Sequence, residues 1–409
     1  MSEENWFVKT KGADFMAWSR ELGIDPVIAR IIRNRDMITV EEAGLFLRGC
    51  LEDCHSPLKM KEMDLAVEHV LRALREKKRI RVIGDYDVDG VCASLILQKS
   101  LSHFGADVDV RLPDRIIEGY GMNTVMAFQA KEDNISLIIT CDNGISSVDA
   151  VKQAKELGIK VLVTDHHAVT STLPCADVII DPKQADCTYP YHEICGAAVA
   201  YKFAQALLIS TKDMKRTDTV PDEKLLDDLL QFAGMATITD IVPLQDENRI
   251  FAREGINRLK KTDNIGLRAL MKLKNIDPST ISAHHIGFIL GPCINSAGRL
   301  ENAIISYNLL NAETRDEAFD LAGKLVELNE ERKALTHKPA DELITMMDSK
   351  LLAGEELDKI LVFYLPDAHE SVAGIIAGRL KEKYNRPVIV LTDSAEGPKI
   401  GRAHVLNSS

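Results

Sequence analysis

No apolar run in this sequence approaches the length needed to span a bilayer, so a membrane-spanning helix is not expected. The amino terminus, MSEENWFVKTKGADF, lacks the basic-then-apolar layout of a secretory signal, and a cytoplasmic location is expected by default. The eight cysteines, at 50, 54, 92, 141, 175, 187, 195 and 293, include no CxxC pair, and Cys92 and Cys141 fall inside expected core elements. Reduced thiols follow, rather than a disulfide framework. Cys50, Cys54 and His55 lie close together, but no second half stands at zinc spacing. Basic charge is also in deficit: a net charge of -12 argues against a general polyanion-coating protein. An enzyme whose metals and local arginines hold phosphates is still open.

What is present suits a large folded chain. With 409 residues, 45% apolar and 27% charged, two or three domains of ordinary globular composition are expected. Residues 1–64 form an N-terminal helical region with short patterns at 26–34 and 40–47 and no evident chemistry. Val67, Val70, Leu71 and Leu74 then make a helical stripe that ends in a basic run, Arg75, Lys77, Lys78, Arg79 and Arg81, most simply a solvated helix end. From there strands and helices alternate. Strands are expected at 80–84, 108–112, 136–140, 160–164 and 178–180, and helices near 91–103, 121–131, 146–157 and 196–209. That spacing predicts an α/β fold with a mainly parallel sheet and flanking helices.

The polar residues fall where such a sheet places its sites. The first strand runs out into Asp85, Asp87 and Asp89, the third into Asp142 and Asn143, and the fourth into Asp165, His166 and His167. Each alone has a bland reading, as a helix cap or a packed imidazole. Three strands delivering acids and imidazoles to one sheet edge instead predict a divalent-metal site, because closely spaced carboxylates repel unless a cation lies between them. A calcium EF-hand is excluded, since its twelfth position is Ile96 rather than Glu. Asp240 follows another apolar run. Residues 291–301, GPCINSAGRLE, read as a glycine-bracketed polar turn whose amides and Arg299 could hold phosphate.

Five segments in order, DYDVDG (85–90), CDNGI (141–145), VTDHH (163–167), TDIVPL (239–244) and GPCINSAGRLENA (291–303), resemble the motifs of the DHH phosphoesterase superfamily. SPLKMKEMDLAVEHV (56–70), RLPDRIIEGYGMN (111–123) and HESVAGIIAGRLKEKYNRPVIVLT (369–392) extend the likeness. The combination looks most like its bacterial single-strand-specific DNA exonucleases. The resemblance implies a metal-dependent exonuclease that hydrolyses single-stranded DNA 5' to 3' to 5'-mononucleotides in repair and recombination. It further implies two Mn2+ ions, with Mg2+ able to substitute, on Asp85, Asp87, Asp89, Asp142, His166 and Asp240, with Asp142 as the bridge. His167 would touch the scissile phosphate, giving His167, Asp142 and Asp85 as the catalytic set. Arg299, Asn295, Ser296 and Gly298 would hold a substrate phosphate, with Arg115 and Tyr120 as further strand contacts. Single-strand-binding protein and a helicase are the implied partners.

The remaining chain divides accordingly: a catalytic domain at 65–310, a connecting helix at 311–350 bent or ended near Lys338 by Pro339, and a partial second α/β domain at 351–399. Too few heptads are sustained for a coiled-coil dimer, so a monomer is expected. The last ten residues, IGRAHVLNSS, do not continue the family pattern and read as an added tail, leaving the strand at 387–391 without its usual partners. Two alternatives stay open: a superfamily phosphodiesterase for short oligonucleotides or cyclic dinucleotides, and a DNA-binding scaffold that has lost catalysis.

Overall fold

The structure, a computed structural model, describes residues 11–212, 221–393 and 400–404. Three short helices come first: α1 (Phe15–Leu22), α2 (Pro26–Asn34) and α3 (Val40–Arg48). Each starts at a residue able to cap it. Asp14, Asp25 and Thr39 accept first-turn amides, and Thr39 and Glu42 cap reciprocally. Their apolar faces close on a small core of Trp18, Leu22, Ile32, Met37 and Phe46.

The central unit runs α4 (Met63–Arg75), β1 (Ile80–Ile83), α5 (Val88–His103), β2 (Val108–Arg111), α6 (Thr124–Glu132), β3 (Leu137–Cys141), α7 (Val148–Glu156), β4 (Lys160–Thr164), β5 (Val178–Ile180) and α8 (Gly196–Ser210). The five strands pair in parallel in the order β2-β1-β3-β4-β5. From β1 the chain steps outward to β2, then returns to β3 on the other side. The order therefore reverses between β1 and β3, the crevice where open α/β sheets bind ligands. Side chains alternate across the sheet. Val82, Ile139 and Leu162 face a large core with α5 and α8, while Ile83, Ile138, Val161 and Val163 face a smaller one with α6 and α7. Burial on both faces is why these strands read as unbroken apolar runs.

The predicted basic run after α4 needs correcting in one respect. Arg81 is buried within β1, pairing with Asp109 at 2.6 Å and Asp133 at 2.8 Å, and Arg79 pairs with Asp107 at 3.0 Å. These arginines close the edge of the sheet opposite the carboxyl ends.

A helical layer follows: α9 (Asp222–Thr239), α10 (Asp246–Leu259), α11 (Ile265–Leu273), α12 (Ala283–His285) leading into a π turn at Ile286–Leu290, α13 (Gly291–Leu300) and α14 (Ile304–Asn311). The expected turn at 291–301 is thus mostly the helix α13. Its glycines serve close packing: a Cβ on Gly298 would stand 2.4 Å from the Tyr86 carbonyl oxygen. Lys202 of α8 lies fully buried against Glu247 of α10 at 2.7 Å, tying this layer to the central unit.

The 38-residue α15 (Arg315–Leu352) continues through Pro339, so the helix does not end near Lys338. Its first half packs Ala318, Ala322, Leu325 and Leu328 into the large core. Its second half packs Ala340, Leu343 and Met347 against β6 (Leu361–Tyr364), α16 (Glu370–Tyr384) and β7 (Val388–Thr392). One helix thereby serves two cores. The strand expected to lack partners, β7, pairs in parallel with β6 and antiparallel with β8 (Ile400–His404). The first half of the tail set apart in the sequence therefore joins the sheet, and residues 405–409 lie outside the described residues. Among the described residues no helix is long and apolar enough to cross a membrane.

Candidate metal centre

Past the end of β1, Asp85, Asp87 and Asp89 occupy the turn into α5. Asp87 caps that helix, its Oδ1 accepting from the amides of Asp89 at 2.9 Å and Gly90 at 3.1 Å. Helix α8 points its N-terminus at Asp89, whose two oxygens accept from Gly196 at 2.6 Å and Ala197 at 2.8 Å. Past β3, Asp142 adopts a left-handed conformation with φ of 60°. The close approach of α8 requires glycine there, because a Cβ on Gly196 would lie 2.6 Å from that of Asp142. Asn143 ties the crevice together, donating to the carbonyls of Ile83 at 3.0 Å and Cys141 at 2.9 Å while accepting from Met122 at 3.1 Å. His166 and His167 leave the end of β4, and Asp240 caps the carboxyl end of α9.

These elements bring every expected ligand to one place. Asp85, Asp87 and Asp142 form one group of ligand atoms within 4.8 Å of each other. Asp89, His166 and Asp240 form a second, and Asp142, His166 and His167 a third that links the other two. The Nε2 of His166 lies 3.0 Å from Asp142, 3.5 Å from Asp89 and 3.9 Å from Asp240. With His167 in the third group, the structure allows it a ligand position as well as the phosphate contact expected from sequence.

The charges there are in conflict. Burial and the neighbouring Asp87 push the Asp85 carboxyl up to about 8. Burial, with Asp89 and Asp87, raises Asp240 to about 8 as well, and Asp87 and Asp142 are raised for the same kind of reason. Burial lowers His166, whereas the bond from His167 to Asp165 raises His167. Among the described residues, Asp85 Oδ1 and His166 Nδ1 are buried without a hydrogen-bond partner. Oxygen-rich donors, one or two imidazoles and an orphaned carboxylate oxygen fit hard divalent cations.

The expected substrate contacts divide. Tyr120 adjoins the centre: its hydroxyl donates to the Asp142 carbonyl at 2.8 Å and lies 3.1 Å from His167 Nδ1. Arg115 stands over the Tyr86 ring, 4.8 Å from its centroid. Arg299 donates to the Ser371 carbonyl of α16 at 2.9 Å, and burial with Arg115 and Arg332 nearby holds its guanidinium down to about 10. Asn295 instead accepts the amide of Val88 at 3.0 Å, and buried Ser296 donates to the Cys293 carbonyl at 2.6 Å. Asn295 on Val88 and Gly298 against Tyr86 brace the Asp85–Asp89 turn from behind, while Ser296 ties α13 to α15 through the Leu325 carbonyl. Sequence reasoning left Asp165 and Asn143 out of the site set, although each stands directly beside a named ligand at a strand end.

The comparisons agree with this geometry. A model described as DHH family, N-terminal domain, matches residues 79–233. The single-stranded-DNA-specific exonuclease RecJ of Bacillus subtilis is 37% identical over 405 residues, 98% of this chain and 49% of its own length. The chain thus spans about half of that relative. Among solved structures, exonuclease RecJ bound to manganese has 30% identity and a TM-score of 0.72, covering 86% of this chain and 84% of its own. RecJ from Thermus thermophilus in complex with Mn2+ has 28% identity and a TM-score of 0.78, covering 97% and 54%. On fold, on most of its length and on the DHH segment together, this chain belongs to the RecJ family.

Proposed function

We propose that this chain is a metal-dependent exonuclease that hydrolyses single-stranded DNA from the 5' end to 5'-mononucleotides, in repair and recombination. One observation carries the reading: Asp85, Asp87, Asp89, Asp142, His166 and Asp240 meet in three interlocking groups at the sheet's switch point. Its relatives' names describe single-stranded-DNA-specific exonucleases, and related structures hold Mn2+ or Mg2+. Two Mn2+ ions are the proposed complement, replaceable by Mg2+. Bound there, they would acidify a water and stabilise the charge that builds on the phosphoryl oxygens during in-line displacement.

The chain's own residues do the rest. Asp142, shared between two groups, orients both halves of the centre, and Asp85 and Asp87 complete one half while Asp89, His166 and Asp240 complete the other. His167, half-exposed, reaches the scissile phosphate. Arg299 and Arg115 hold the strand's phosphates, and Tyr120 offers a sequence-tolerant face to bases. We divide the chain into 1–64, a catalytic domain at 65–310, a connecting helix at 311–350, and a second domain from 351, and place the strand between the catalytic and second domains. It would act as a cytoplasmic monomer beside single-strand-binding protein and a helicase.

The test is a nuclease assay with Mn2+ on 5'-labelled and 3'-labelled single-stranded DNA and a matched duplex, alongside Asp142→Ala. Mononucleotide release from the 5' end, absent on duplex and in the variant, is expected. Release from the 3' end, or activity that survives Asp142→Ala, would overturn the reading.

A further inference from the structure

Whatever His167 does to a phosphate depends on which ring nitrogen is free and how firmly the ring is held. Asp165, with 1% of its surface exposed, is tied down on both oxygens. Its Oδ1 accepts from His167 Nδ1 at 2.8 Å and from the amides of His166 at 2.8 Å and His167 at 3.2 Å. Its Oδ2 accepts from the Ile145 amide at 2.9 Å. A carboxylate so fixed cannot follow the imidazole if the ring turns away. Tyr120 approaches from the 112–123 loop. Its hydroxyl proton is committed to the Asp142 carbonyl at 2.8 Å, so its oxygen presents lone pairs to the ring, 3.1 Å from Nδ1 and 3.4 Å from Nε2. The two rings meet edge to face, centroids 5.6 Å apart at 77°. Asp165 occupies Nδ1, which leaves Nε2 as the nitrogen available to a substrate oxygen.

We propose that Asp165 and Tyr120 are positioning residues that clamp the His167 ring in one orientation, with Nδ1–H held on Asp165 and Nε2 turned outward, where its N–H can be accepted by a phosphate oxygen. This rests on the phosphodiesterase reading above and gives the Tyr120 hydroxyl a role in addition to the contact of its ring with the strand. The alternative is that Asp165 only supports the loops through Ile145 and His166.

The clamp is tested by placing Asp165→Asn and Tyr120→Phe each in the wild-type and His167→Ala backgrounds. With His167 present, Asp165→Asn is expected to lower kcat by about 10- to 100-fold, as loss of an orienting partner does elsewhere. KM and Mn2+ affinity by calorimetry should change little. In the His167→Ala background neither substitution should lower kcat further, because there is nothing left to position. A further loss in that background, or lost Mn2+ binding in Asp165→Asn, would overturn the clamp in favour of loop support. An arm independent of activity uses 15N-histidine NMR, with the His167 signal identified by its absence in His167→Ala. A Nδ1-protonated pattern that Asp165→Asn abolishes supports the clamp even if no DNA is cut, and a pattern that does not change refutes it. Failure of the proposed function shows separately, as a wild-type chain that binds Mn2+ and cleaves nothing.

Discussion

Asp142 carries an unusual load for one residue, since its backbone is left-handed and its carboxylate is buried among Asp85, Asp87 and Asp89. Asparagine tolerates that backbone and brings no charge. Asp142→Asn should therefore leave the metal-free chain as stable as wild type or more so, while abolishing the rise in Tm that Mn2+ gives. Thermal melts with and without Mn2+ check this; a rise of the wild-type size in the variant would contradict the bridging role. The same crowding sets a pH dependence. Asp85 has an ordinary value of 3.8 and is pushed to about 8 in the fold. Between those values the folded chain keeps a proton that the unfolded chain releases, so this contribution to metal-free stability is complete below 3.8 and fades as pH rises to 8. Urea midpoints in chelator at pH 5 and pH 8 should fall more for wild type than for Asp85→Asn, and an equal fall would dispose of the argument. Asp85, Asp87, Asp89 and Asp142 were legible because they follow apolar strands, whereas Asp240, at the end of α9, was placed in the site by the family resemblance. Asp165 and Asn143 were not singled out, because what they do is visible only in bonds that span sixty residues or lie within the turn itself.

Among elements, α8 does most to shape the centre, because its first two amides hold Asp89 and its first residue touches Asp142. Gly196→Ala should force α8 and Asp142 apart, at a cost of about 1–3 kcal/mol as in other overpacked sites. Mn2+ affinity should weaken with it. Calorimetry and urea unfolding on one preparation would show both, and full Mn2+ affinity in Gly196→Ala would mean the close packing does not serve the ligands. The strands of the central sheet were legible to within a residue or two, since burial on both faces leaves an apolar run with little ambiguity. Helix α13 was not. Gly291, Pro292, Asn295, Ser296 and Gly298 are turn formers locally, yet here Asn295 braces Val88, Ser296 reaches the Cys293 and Leu325 carbonyls, and Gly298 admits Tyr86. Most of those partners lie far away in sequence and override local propensity.

The molecule as a whole is built on several cores rather than one, and α15 belongs to two of them. Leu343 sits in the smaller core, away from every ligand. Leu343→Ala should destabilise that core by about 2–5 kcal/mol and leave Mn2+ binding intact. Hydrogen exchange would report early opening at β6, α16 and β7 in this variant, with β1 and β3 unaffected; loss of protection in the central sheet would mean the cores unfold as one. This division was legible only in outline. A charged, long helical pattern announced a connector, but nothing local told that β7 would find β6 on one side and β8 on the other. The proline in the connector has a mechanical consequence. Pro339 has no N–H to give the Leu335 carbonyl, so the i→i−4 ladder lacks a rung there. That rung is missing beyond Leu328, the last buried α15 residue of the large core, where Leu335 already packs against the small one. The helix thus lacks one backbone bond where it enters the small core, so side-chain packing there, rather than the ladder alone, sets how firmly its two halves are joined.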